Sequence, residues 1–195
     1  MTKAATTRLM ILQKAADLIY KRGYQATSVD DIIAVTNVTK GAFFYHFKSK
    51  DDMGVAMVNE VVRPAMRHFF LEPLRKAKDP VQTILRVMKQ LLLESPLQVN
   101  YGCPAGNLAD EMASWNAGFN RALSGLTDEL QEVLAELIQK GKESGEIRKT
   151  VNGRQVAKFI MAGYWGIRII GKVEKNNEGY KVYLKELRAY LKGLK

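Results

Sequence analysis

Apolar residues recur along most of this chain at the three- and four-residue steps of helices, and nowhere in the strict alternation of strands joined by hairpin turns. In the first helix, expected over about residues 5–22, Ile11, Ala15, Leu18 and Ile19 share one face, and Gly23 stands where a C-terminal glycine ends a helix. Ser28-Val29-Asp30-Asp31 opens a second helix: a capping hydroxyl is followed three residues later by an acid. That helix is short, ends near Val35 and turns Val29, Ile32 and Ile33 inward. Thr36-Asn37-Val38 predicts a tight turn, since asparagine takes the left-handed conformation more readily than most residues. A third helix follows from the Thr39 cap to about Phe47, with Phe43 and Phe47 facing inward.

Ser49-Lys50-Asp51-Asp52 reads as another capping box, opening a long helix over about 50–76. Pro64 should kink it, because proline lacks the N–H and clashes one turn back. Further helices fit 80–95, 105–116, 118–143, 152–176 and 179–192. Pro80 suits a first turn, Gly102 and Pro104 mark a break around Cys103, and Gly145 closes a helix. Asn176-Asn177-Glu178-Gly179 separates the last two helices. The expected fold class is therefore all-α.

Charge adds a direction. The 195 residues hold 30 Lys and Arg against 20 Asp and Glu, a net +10. Residues 1–50 contain eight basic and three acidic residues, so a quarter of the chain carries half of the excess. A polyanion partner for the N-terminal quarter fits this, as does a generally basic soluble protein. Cys103 is the single cysteine, which excludes an intrachain disulfide scaffold. No apolar run approaches the ~20 residues of a membrane span, and the N-terminus lacks the apolar core of a signal peptide, so a cytoplasmic protein without membrane contact is expected.

Enzyme chemistry finds little to stand on. There is no nucleophile elbow and no dinucleotide fingerprint. The two histidines, His46 and His68, stand 22 residues apart on different helices, so no metal and no cofactor is expected. The run Gly166 to Lys172 mimics a phosphate loop, but Val173 follows where Ser or Thr is needed and no strand precedes it.

The chemistry concentrates in the helix, tight turn and helix of residues 28–47, the spacing of a DNA-reading helix-turn-helix. Two short helices cannot bury their apolar faces alone; the first helix supplies the third wall and leaves the third helix free to enter a major groove. Lys40, Tyr45, His46, Lys48 and Lys50 offer charge and hydrogen bonds, while Gly41 and Ala42 are small enough for close approach to phosphates. Free N–H groups at the Ser28 and Thr39 helix starts suit phosphate oxygens. On pattern alone, a helical interaction module without DNA binding has the same corner; salt-sensitive DNA affinity separates the two.

The run Thr27 to Ile33 and the run Val38-Thr39-Lys40-Gly41-Ala42-Phe43-Phe44-Tyr45-His46-Phe47-Lys48-Ser49-Lys50 resemble the N-terminal domain of TetR-family regulators, a likeness spanning about residues 8–55. The resemblance implies a helix-turn-helix domain over 1–48 and a larger helical ligand-binding and dimerisation domain over 49–195. It implies a regulator, a repressor in most of the family, that binds a palindromic double-stranded DNA operator as a homodimer and lets go when an effector binds. Thr27 and Ser28 would contact phosphate. Thr39, Lys40, Gly41 and Ala42 would lie at the groove end of the recognition helix, Tyr45 and His46 would reach backbone or bases, and Lys50 would reach phosphate. Phe44 stands where the family commonly has tyrosine; it either keeps a place at the DNA or belongs to the core.

The family dimerises through its last two long helices. Val156, Phe159, Ile160, Gly163, Ile167 and Ile170, with Gly166, fit such a face, and Val182, Leu184, Leu187, Leu191 and Leu194 add a stripe. Trp115, Phe119, Tyr164 and Trp165, with Phe69 and Phe70, are candidates to line an effector pocket or to pack the core. The run Gly102-Cys103 through Asn107-Leu108-Ala109 resembles the branch of the family that senses electrophiles and reactive chlorine, typified by the N-ethylmaleimide-responsive repressor. There a lysine partners the cysteine, and Lys172 or Lys175 would take that part. Cys103 is thus either a sensor thiol preceding a helix N-terminus or a small packed residue.

Overall fold

The computed structural model describes residues 3–77 and 79–195; Met1 and Thr2, at the start of the expected 1–48 domain, lie outside the described residues. Helices account for the regular structure: α1 (Lys3–Arg22), α2 (Val29–Thr36), α3 (Lys40–His46), α4 (beginning Lys50–Met57 and reaching Arg75), α5 (beginning Pro80–Lys89), α6 (Pro104–Met112), α7 (Ala117–Glu143), α8 (Gly153–Glu174) and α9 (Glu178–Lys192). A single tight turn, Val99–Tyr101, stands between α5 and α6. Among the described residues no helix is long and apolar enough to cross a membrane.

Local chemistry sets most of these boundaries. Gly23 closes α1 with φ +94°, and its N–H donates to the Ile19 carbonyl at 2.7 Å. Ser28 caps α2 in a complete box: its hydroxyl accepts from the Asp31 N–H at 3.0 Å, and Asp31 accepts from the Ser28 N–H at 2.8 Å. Asn37 takes the left-handed turn at φ 54°. Thr39 caps α3, accepting from the Ala42 N–H at 3.1 Å. The box at Ser49 is shifted: its hydroxyl accepts from the Asp52 N–H, but the Asp52 carboxylate reaches one residue further back, to the N–H of Lys48.

Pro64, expected to kink its helix, follows a widened turn of α4, and Pro73 follows another. Wider turns, Val58–Val62, Arg67–Leu71 and Gln90–Glu94, each end two residues before a proline: Pro64, Pro73 and Pro96. In the first two, bonds skip to the fifth residue back, Arg63 N–H to Val58 carbonyl and Glu72 N–H to Arg67 carbonyl. A proline ring displaces the carbonyl one turn behind it, and widening the turn rehouses the stranded acceptors.

Compactness does not divide the chain at residue 48. One unit comprises residues up to Ala65 together with Pro104–Gly125; the other comprises Met66–Cys103 and Leu126–Lys195. In the first, Ile11, Leu12, Ala15 and Ile19 of α1, Ile32 of α2, and Phe43 and Phe47 of α3 form the buried core. Leu12, rather than the expected Leu18, completes the α1 face. The returning segment fastens to this core. Tyr24 donates its hydroxyl to Asp51 at 2.6 Å, Asn116 donates to the same carboxylate at 3.0 Å, and Glu111 accepts the Gln25 N–H at 2.9 Å. The Phe119 ring meets Tyr24 edge-on at 4.9 Å.

In the second unit, the inward stripe of α8 is Val156, Ile160, Tyr164, Arg168 and Gly171. Helix α9 packs on it through Tyr180, Leu187 and Leu191. Glycines permit the contact: a Cβ at Gly163 would stand 2.6 Å from the Tyr183 ring.

Candidate nucleic-acid interface and effector site

Helix α3 presents a surface that its own unit leaves uncovered. Tyr45 is 78% exposed and Phe44 is 46% exposed. Phe44 is therefore no core residue: Phe43 and Phe47 already fill the interior, and Phe44, adjacent to Phe43 on a helix, must point elsewhere. Lys40 is exposed and paired with Asp30 at 3.3 Å, the kind of ion pair that contributes little in water. Thr39, Gly41 and Lys48 are exposed, and Ala42 and His46 are half-buried. The His46 ring lies edge-on to Tyr45 at 5.0 Å.

Three further residues assigned to DNA have internal roles. Thr27 is 0% exposed and donates its hydroxyl to the Gly23 carbonyl at 2.7 Å, so it braces the α1–α2 turn and offers no hydroxyl to phosphate. Ser28 is exposed, but its oxygen is the α2 cap. Lys50 rests its ammonium 4.2 Å from the Tyr24 ring centroid, and burial lowers its pKa against the pull of Asp51.

Gly41 is informative because nothing inside the protein demands it. A Cβ there would meet only the Thr39 hydroxyl, at 4.0 Å. Gly41→Ala should therefore raise folding stability by about 0.5–1 kcal/mol, read by urea denaturation. The same change should weaken DNA binding about tenfold if a phosphate backbone uses that space. Unchanged DNA affinity would remove Gly41 from the interface.

The effector candidates separate sharply. Trp115 is 84% exposed and Phe69 lies half in solvent, so neither belongs to the buried interior of its unit. Phe119 is buried in the first unit, against Tyr24 and over Gly54, where a Cβ would meet its ring at 2.4 Å; it is core. Tyr164, Phe70 and Cys103 are buried in the second unit. Trp165 is half-buried, with an indole N–H that is buried and has no acceptor. Burial above all, then the neighbouring Cys103, holds the Tyr164 phenol well above its ordinary pKa. Lys172 and Lys175 are both exposed, and Lys175 is the left-handed cap of α8. The basic group beside the Gly102-Cys103 segment is Arg168, which donates to the Gly102 carbonyl.

Sequence reasoning passed over Arg168 and Tyr180. A signal was present: Arg168 continues the four-residue step of Val156, Ile160 and Tyr164, placing a charge on an otherwise apolar stripe.

The opposite face of α8 is open. Phe159, Ile169, Ile170 and Val173 are exposed, and a Cβ at Gly166 would meet nothing within 4 Å. By contrast Val156, Ile160 and Gly163, expected on a dimer face, pack inside their own unit.

Comparison with known proteins agrees with this architecture. The family model "Bacterial regulatory proteins, tetR family" matches residues 11–57, and "Tetracyclin repressor-like, C-terminal domain" matches residues 78–187. A helix-turn-helix transcriptional regulator of Lactococcus lactis subsp. lactis is 31% identical over 131 residues, 67% of each chain. The crystal structure of a TetR-family regulator from Cytophaga hutchinsonii superposes with TM-score 0.90 at 20% identity, covering 100% of this chain and 98% of that one. Reduced NemR of E. coli shares the fold at TM-score 0.83 and 21% identity, over 97% and 96% of the two chains. The chain belongs to the TetR family of transcriptional regulators.

Proposed function

We propose that this protein is a cytoplasmic repressor that grips a palindromic operator as a homodimer and releases it when an effector reaches the second unit. The observation that carries the DNA reading is α3 itself: a helix capped by Thr39 whose Lys40, Gly41, Phe44 and Tyr45 stand exposed. Two such heads on a twofold axis read half-sites about 34–36 Å apart, or a multiple. The open α8 face supports dimerisation.

The 49–195 segment carries the effector function in this reading, and Cys103 is its reporter. The chain passes from Cys103 directly into α6, whose Glu111 holds the Gln25 N–H at the α1–α2 turn. A change at Cys103 thus has a short covalent route to the brace behind the reading head. Repression is lost by a shift of population toward a state that no longer fits the operator.

The test is binding to DNA upstream of the protein's own gene, before and after a thiol-reactive electrophile, then after added reducing thiol. Affinity should fall steeply between low and moderate salt, because phosphate contacts release counterions. Electrophile should release the DNA, reducing thiol should restore binding, and Cys103→Ser should hold the operator throughout. Release that persists in Cys103→Ser sinks the thiol sensor. Absence of sequence-specific binding across a wide search of DNA sequences sinks the repressor itself.

A further inference from the structure

We infer that Arg168, with the hydroxyls of Tyr164 and Tyr180, forms a buried anion site that recognises a small carboxylate as effector. The inference rests on the effector-release reading above and assigns the chemical class of what is released to. Arg168 is 0% exposed, and of its guanidinium nitrogens only Nη2 has an acceptor, the Gly102 carbonyl. Nε and Nη1 are buried with no hydrogen-bond partner among the described residues. Among the described residues no carboxylate comes within ion-pair distance of it.

Such a group is expensive to keep. A guanidinium does not deprotonate in a protein, so it cannot escape burial by losing its charge as lysine does. Burying a charge without a partner costs several kcal/mol. Nor do the adjacent phenols supply the missing negative charge. Burial holds both Tyr164 and Tyr180 in the protonated form, with Arg168 only partly opposing it. Both hydroxyls are buried without a hydrogen bond of ordinary geometry. The Tyr180 ring carries the guanidinium at 5.6 Å from its centroid. What is left is a cation with free donors at Nε and Nη1, either of which makes a planar fork with the second hydrogen of Nη2, flanked by two neutral hydroxyl donors. A carboxylate, planar and with two acceptor oxygens, matches that fork.

The experiment compares sodium salts of small carboxylic acids (acetate, propionate, benzoate), their uncharged amides, and chloride and phosphate, on the whole protein. One readout is the melting temperature; the other is release of the operator. At about a hundred times Kd a matching carboxylate should raise the melting temperature by about 5–10 °C, and its amide should not. Arg168→Gln should weaken that carboxylate at least about 30-fold, as loss of one partner from a buried charge pair does. Tyr180→Phe, which keeps the ring beneath the guanidinium, should weaken it several-fold and serves if Arg168→Gln fails to fold. The proposal is overturned if no salt in the panel stabilises the wild type more than its amide does. It is overturned equally if chloride and phosphate match the carboxylates, or if the folded variants respond as the wild type does. Stabilisation without operator release leaves the anion site standing and removes effector release from the proposed function.

Discussion

Ile170→Glu should leave the fold intact, convert the proposed dimer to monomers and lower affinity for its operator at least about 100-fold. Ile170 is 47% exposed within its own chain, and the neighbours on that face of α8, Phe159, Ile169 and Val173, are exposed as well. A glutamate there is solvated in the monomer, so the folding penalty belongs with ordinary surface changes, within about 0.5 kcal/mol. In a dimer packed across this face the twofold axis buries two carboxylates against apolar side chains. Loss of the second reading head then removes the intramolecular second contact with DNA, an avidity of about 100- to 10,000-fold. Sedimentation and DNA titration on the same sample check both parts. Gly166→Leu is an independent probe, since its new side chain enters space that the chain's own packing leaves empty. A variant that stays dimeric and binds as tightly as the wild type would place the interface elsewhere.

The reading head was legible because its determinants are local. Ser28 with Asp31, Asn37, and Thr39 act within one turn of where they stand, and each does in the structure what its residue type implies. Pro64 was legible for the same reason, whereas Pro73 follows the same kind of widened turn and had been passed over. Helix α8 shows the opposite situation. It is apolar on nearly every side, so periodicity cannot say which stripe faces its own unit and which faces outward. The stripe expected to dimerise mixed the two: Val156 and Ile160 turn inward, Phe159 and Ile170 outward. The compact units were hidden because residues 104–125 join the first core through contacts across 60 and more positions, such as Asn116 to Asp51. Nothing in local pattern reports those. At the DNA face, the resemblance supplied a role for Thr27 that its burial does not allow, while the exposure of Phe44 removes the core alternative for that residue.

Phe119→Ala should destabilise the protein by about 3–5 kcal/mol, while Trp115→Ala, four residues away, should stay within about 0.5 kcal/mol. Both aromatics were candidates to touch an effector; Phe119 is instead packed in the core of the first unit, and Trp115 stands on its surface. Phe119 is 0% exposed, lies against Tyr24, and presses on Gly54 so closely that a Cβ there would stand 2.4 Å from its ring. Truncation leaves a cavity that glycine cannot shrink, and it strips the apolar cover from the Tyr24 side chain, whose hydroxyl ties α1's end to Asp51 of α4. Trp115 has no such neighbours to lose. Urea denaturation measures the difference directly, with a domain stability of 5–15 kcal/mol setting the scale. Gly54→Ala alone should cost about 1–3 kcal/mol by overpacking. Combined with Phe119→Leu, it should cost less than the two changes summed, because the shortened side chain vacates the space the new methyl needs. Strict additivity of that pair would mean that Phe119 does not pack on Gly54 in solution, and would return it to the list of residues free to meet an effector.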